Sequence, residues 1–262
     1  ADLVFPGATH NRFLHSVGVM HLAGLAYDAA FREATWLVGE DRARLRQILR
    51  LAALCHDIGH APLSHTSESL FPSVAELAIP SLVDRDPNRQ ARHEHYGLKL
   101  LLDSELSDVI TSAFGAMGIK PVDVGSLLHD GVQVDPAVFQ VGDHDLRGIL
   151  SALVSSEVDV DRMDYLLRDS HFTGVSYGKF DHDWILSHLT HHVADDGRVF
   201  LALKDRAIYT FDDFLLSRYH MFLMVYFHSK VVCYDHMLRR FFERYPEALQ
   251  VPSDPEAFLY FD

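Results

Sequence analysis

The sequence predicts a mostly helical, all-α chain with at most one small β-hairpin. Three observations predict this. Apolar residues recur at helical spacing through most of the chain. One stretch, VADDGRVFLALK (193–204), carries a hairpin signal, with Asp-Gly between two short β-like runs. No internal repeat, low-complexity segment or glycine-rich phosphate loop is present, so a P-loop or Rossmann reading has no support.

In chain order, FPGATHN (5–11) reads as a turn into a helix, with Thr9 or Asn11 as its N-cap. That helix runs to about Glu33, with Phe13, Val17, Met20, Leu25 and Ala29 as its apolar face. Arg12 and His15, three apart, share a face near its start. Asp41 caps a second helix, RARLRQILRLAALCHD. Residues 66–92 contain Pro72, Pro80 and Pro87 and read as short helices within a long loop. Arg92-His93-Glu94-His95 opens the next helix, with Leu98, Leu101 and Leu102 on its apolar side. The helix dipole disfavours the charged form of His93 there, unless an anion is near. Ser104–Gly118 and Pro121–Asp130 are two further helices, and His144–Glu157 is another. In DVDRMDYLLRDSHFTG, Asp161, Tyr165 and Asp169 fall at i, i+4 and i+8, a polar stripe. Met163, Leu166 and Leu167 lie off it and can pack. Asp181–His192 is helical, and a long helical region spans about Asp205 to Arg244. On it Arg218, Phe222 and Tyr226 share a face.

At 262 residues the chain can bury a large core, and we expect one domain over residues 1–262. No apolar run reaches the roughly 20 residues of a membrane span, and no signal-peptide pattern is read. The net charge of −14 disfavours long nucleic acid as a partner. A small phosphorylated ligand needs only a few local cations. Cys55 and Cys233 read as helical core residues rather than a disulfide framework, which places the chain in the cytoplasm. The 18 histidines exceed what one site needs, and His188, His191 and His192 read as a solvated face or turn. The chain begins within what looks like a folded segment, ADLVFPGATHNRF, and ends in FLYFD. It reads as a fragment of a longer protein.

The chemistry concentrates in Leu51–His65, LAALCHDIGHAPLSH. An apolar helix delivers His56 and Asp57 side by side, and Gly59 suits its end. His60 and His65 follow. An ionised Asp in an apolar setting is costly unless paired or bound to a cation. A divalent ion would compensate it. A helix end with Asp57 bonded to backbone is the ordinary reading of the dipeptide alone, as a solvated face is of the Asp161 stripe. The three partner stretches decide between these readings.

FPGATHNRFLHSVGV, LCHDIGHAPLSH, RHEH and DVDRMDYLLRDS arrive in order. Together they resemble the HD-domain metal-dependent phosphohydrolases, in their deoxynucleoside triphosphate (dNTP) triphosphohydrolase branch. The resemblance runs from about Phe5 to Lys230. It implies a helical bundle around a divalent ion (Mn, Fe, Mg, Co, Ni or Zn) held by His15, His56, Asp57 and Asp161. It implies phosphate contacts from Arg12, Arg162 and Arg218, and a phosphate channel lined by His60, His65 and His93. His93 would pair with Glu68 for catalysis, where the family often has Asp. Tyr165 and Asp169 would contact the sugar, and Tyr226 would stack on the base. The implied reaction releases deoxynucleoside and tripolyphosphate, and animal members of the family form homo-oligomers. Two other readings stay open: another HD phosphohydrolase (nucleotidase, phosphodiesterase or single-strand nuclease), and a nucleotide-binding module without turnover.

Overall fold

Asn11, not Thr9, starts the first helix: its side chain accepts from the backbone N–H of Leu14. The computed structural model describes residues 4–261. Ala1, Asp2, Leu3 and Asp262, at the ends on which the fragment reading rests, lie outside the described residues. The helices are α1 (Arg12–Ala30), α2 (Gly39–Cys55), α3 (Val74–Leu77), α4 (His93–Leu102), α5 (Glu105–Phe114), α6 (Pro121–Leu128), α7 (Arg147–Val154), α8 (Val160–Thr173), α9 (His182–His188), α10 (Ile208–Met221), α11 (Ser229–Arg244) and α12 (Pro255–Leu259). Strands β1 (Gln140–Val141) with β2 (His144–Asp145), and β3 (Leu189–Val193) with β4 (Val199–Leu203), form two antiparallel pairs. The chain is mostly helical, as expected.

The described chain divides into two units. The first holds the residues up to Leu54 together with Phe139–Val232. The second holds Cys55–Val138 and the chain from Cys233 onward. In the first, α1 packs on α7, α8, α9 and β3, and α10 packs on α8 and α9. The buried side of α1 is made of Val19, Leu22, Ala23, Ala26, Tyr27 and Ala30. The expected apolar face is therefore corrected: Phe13 and Leu25 are 71% and 42% exposed. Small residues at 16, 23, 24, 26 and 30 let neighbouring helices approach closely, and that outweighs side-chain size. In the second unit α4 packs on α3, α5, α6 and α12. Its core includes Phe71, Leu77, Tyr96, Leu98, Val132 and Phe258.

Other boundaries move for local reasons. Asp41 lies within the first turn of α2, where its charge suits the helix dipole, and it pairs with Arg44 rather than capping. His144 and Asp145 are strand, not helix, because Gly142 at φ 57° makes a tight turn before them. α9 stops at His188, and the β3–β4 ladder takes Leu189–Val193. His191 is not on a solvated face: its ring is 2.7 Å from the Ala30 carbonyl and stacks on Phe31. Cys55 is buried, which pushes its thiol up to about 12, but Cys233 is exposed. The long late helix is broken: a π-helical turn, Phe222–Tyr226, joins α10 to a break before α11.

Gly59 does not cap α2, which ends at Cys55. Its requirement is space: a Cβ there would collide with the backbone of Gly97 and His93 on α4. Gly59→Ala should cost about 2 kcal/mol or more. Gly115→Ala, with open space and helical φ, should stabilise by about 0.5 kcal/mol. Urea unfolding of both variants checks the opposite signs.

A partly buried ion pair makes a second prediction. Arg89 forks Asp84, with Nε to Oδ1 at 3.2 Å and Nη2 to Oδ2 at 2.7 Å. That pairing holds the Asp84 carboxyl well below its ordinary 3.8. A depressed carboxylate contributes stability that is present above its unfolded pKa and is lost as pH falls through the folded one. Asp84→Asn should therefore flatten the loss of stability below about pH 4, read from urea midpoints against pH.

Candidate metal and phosphoester site

The four residues that the sequence resemblance assigns to metal fall two in each unit. In the first unit α1 carries His15 and α8 carries Asp161, and His15 Nε2 lies 3.0 Å from Asp161 Oδ1. Donors about 2.1 Å from one ion and at right angles to each other stand about 3 Å apart, so this edge fits a shared cation. The other ring nitrogen, His15 Nδ1, is 2.7 Å from Asp164 Oδ2. Arg168 then grips Asp164 with Nε to Oδ2 at 2.7 Å and Nη2 to Oδ1 at 2.9 Å. Both hydrogen bonds come from one helix, Asp164 and Arg168 being one turn apart on α8. A carboxylate on Nδ1 fixes the tautomer that presents Nε2 as a ligand.

Sequence reading missed Asp164 and Arg168, and it missed why Gly18 follows His15 by three residues. A Cβ at Gly18 would collide with both side chains. Burial alone would lower the His15 pKa. The hydrogen bonds to Asp161 and Asp164 outweigh it and raise the value to about 9. Burial likewise opposes the charge on Asp164, but His15 and Arg168 hold its pKa below the ordinary value.

In the second unit His56 and Asp57 follow α2 directly. His56 Nε2 lies 3.6 Å, and His60 Nε2 3.4 Å, from Asp57 Oδ1. All three side chains are nearly buried, so the donors suit a cation rather than a solvated surface. Three further groups converge with His60: one donor atom each of His60, His65, Glu68 and His93 lies within 4.8 Å of the others. Glu68 Oε1 takes His93 Nδ1 at 2.5 Å and His65 Nδ1 at 3.0 Å. His60 and His93 stack with centroids 3.8 Å apart. Burial would raise the Glu68 pKa, but the two histidines hold it low. His65 enters from a strained turn, with Leu63 and Ser64 at φ 67° and 53°. A third cluster, Asp84, His95 and His129, has ligand chemistry as well. There the Arg89 guanidinium takes the cation's place, with Nη2 3.1 Å from His95 Nε2.

The remaining predicted residues lie in the first unit. Tyr226 donates to Asp169 Oδ2 at 2.5 Å and meets Tyr165 edge-on at 6.1 Å. Burial, then the Asp169 charge, pushes the Tyr226 hydroxyl pKa far up, so it stays a donor. His10, which the sequence did not mark, holds the other oxygen of Asp169 at 2.7 Å and stacks on Phe172. Arg218 lies over Phe222 at 5.8 Å, and Phe222 meets Tyr226 at 5.2 Å, so the three remain on one side through the π-turn. Arg218 and Arg162 both reach Glu157 Oε2, at 3.1 and 3.8 Å, and Arg162 is 3.3 Å from buried Asp159. Glu157 is a further residue the sequence did not mark. Arg12 is exposed on the first turn of α1.

Comparison with known proteins bears on this geometry. The family model described as HD domain matches residues 12–169. The Bacillus subtilis protein YwfO is 31% identical over 86% of this chain and 42% of its own length. The Dictyostelium discoideum deoxynucleoside triphosphate triphosphohydrolase SAMHD1 homolog is 28% identical over 98% of this chain and 45% of its own. The chain thus spans less than half the length of these relatives. A crystallised hypothetical protein of Aquifex aeolicus shares the fold with a TM-score of 0.69 at 28% identity. It aligns with 100% of this chain and 58% of its own.

Asp164→Asn keeps the shape and removes the charge behind His15. Affinity for Mn²⁺ should fall by about 10- to 100-fold. Calorimetric titration of metal-stripped protein measures it. An unchanged affinity would show that Asp164 does not orient a ligand.

Proposed function

The chain belongs to the HD-domain family of metal-dependent phosphohydrolases, and from that membership we propose that it hydrolyses deoxynucleoside triphosphates to deoxynucleoside and tripolyphosphate. One observation carries the choice of substrate. Helix α8 presents Asp161, Tyr165 and Asp169 on one face, about 6 Å of helix rise apart. A metal-type carboxylate is followed by an aromatic ring and then a carboxylate held by Tyr226. That order suits a phosphate end followed by a sugar, which a simple phosphoester does not need.

In this reading His15, His56, Asp57 and Asp161 would hold a divalent ion. When bound, such an ion acidifies water and neutralises phosphate charge. Arg12, Arg162 and Arg218 bind the phosphates, for which the planar guanidinium is suited. The substrate's phosphate replaces Glu157 on the last two. His60 and His65 line the phosphate path. His93 gives a proton to the leaving sugar oxygen from Nε2, because Nδ1 is committed to Glu68. Glu68 thereby sets the tautomer. Tyr165 packs against the sugar and disfavours a 2′-hydroxyl, and Tyr226 closes the base side.

Product analysis tests the reading. With Mn²⁺, Mg²⁺ or Co²⁺, each dNTP should yield deoxynucleoside and tripolyphosphate, and ATP should react more slowly than dATP. The His56→Ala/Asp57→Ala double variant should lose at least about 100-fold in rate. Nucleoside monophosphate as product would move the chain to another HD phosphohydrolase reaction. Tight binding without turnover would make it a regulatory nucleotide-binding module.

A further inference from the structure

The second unit carries a cavity of about 460 Å³ whose arginines the proposed reaction leaves unassigned. Its lining includes His65, Glu68, Arg89, Gln90, Arg92 and Arg239. Three guanidinium groups thus share a wall with one carboxylate, and Glu68 is already engaged by two histidines. Two of the arginines are braced from behind. Asp84, whose side chain is 5% exposed, takes Nε and Nη2 of Arg89. Asp235 takes Nε of Arg239 at 3.0 Å and is itself held by the Thr66 hydroxyl. A guanidinium has five N–H donors, so each brace fixes the group and leaves donors for a ligand. Arg92 stands at the N-cap of the ten-residue α4, whose positive pole adds to the field.

We propose that this cavity binds an oligophosphate: inorganic tripolyphosphate, or the triphosphate tail of a second nucleotide. Planar forks fit phosphate oxygens. Three of them across one cavity call for a ligand with several anionic groups rather than a single carboxylate. The net charge of −14 disfavours long nucleic acid as the ligand. Tripolyphosphate as a source rests on the proposed reaction; the anion site itself rests on the arginines alone. Because His65 and Glu68 belong to both the cavity and the proposed catalytic cluster, occupancy would make the enzyme sensitive to its product.

The test is equilibrium binding without turnover. Metal-stripped full chain is titrated with sodium tripolyphosphate and, separately, with a non-hydrolysable α,β-imido dNTP. Arg92→Ala/Arg239→Ala should weaken binding of at least one probe tenfold or more, and added salt should weaken wild-type binding. Arg239→Lys, which keeps the charge and loses the fork, should fall between. Arg89 is left intact, since removing it strands Asp84, and unchanged melting curves exclude misfolding of the variants. Loss confined to tripolyphosphate identifies the product as occupant, and loss confined to the imido nucleotide identifies the second nucleotide. Failure of wild type to bind either probe, or equal binding by the double variant, overturns the proposal. A failed reaction would instead appear as absent tripolyphosphate in turnover, with this titration unaffected.

Discussion

The first unit depends on one buried carboxylate. Asp164 sits between His15 and Arg168 with its side chain 8% exposed. A charge so placed is tolerated only when both oxygens are hydrogen-bonded and a countercharge is at hand. Arg168 supplies the countercharge with two bonds, one to each oxygen, and His15 adds a second bond at Oδ2. The geometry then propagates. Gly18 has no side chain because the pair occupies its space, and α1 lies close to α8 there. His15 has one nitrogen committed, so only the other can serve a ligand.

The second unit repeats the device with a different economy. One oxygen of Glu68 orders two histidines at Nδ1 and leaves two Nε2 atoms for chemistry. The length of the Glu68 side chain lets one carboxylate serve rings that enter from two segments, the strained 62–64 turn and α4. Asp169 is braced likewise, by His10 on one oxygen and Tyr226 on the other. In all three places a neutral or cationic donor positions a carboxylate, and that carboxylate or its partner ring is left able to act. Preorganisation of this kind limits the reorientation needed when a ligand arrives.

Residue chemistry at fixed spacing was legible in the sequence, and distant pairing was not. His56 and Asp57 stood out because they end an apolar helix, and the motif resemblance added His15 and Asp161. The pairing of His93 with Glu68 came from the resemblance, but that the same Glu68 oxygen also takes His65 is invisible without a fold. Asp164 and Arg168 went unmarked, because burial cannot be read from two charges one helical turn apart. The face of α1 was misjudged because size was taken as the guide to burial. The deciding factor was how near other helices must come, which favours Ala, Gly and Ser.

The sequence by itself determined the helical class, the order of the four motifs and the family to which they belong, since each depends on local periodicity or on residue identity. Only tertiary structure decided which charges are paired, which histidine nitrogen each carboxylate takes, and that a second set of arginines converges on one cavity. Those outcomes depend on distances between segments far apart in the chain. Hydrogen bonds and desolvation act at such distances only after the helices have packed.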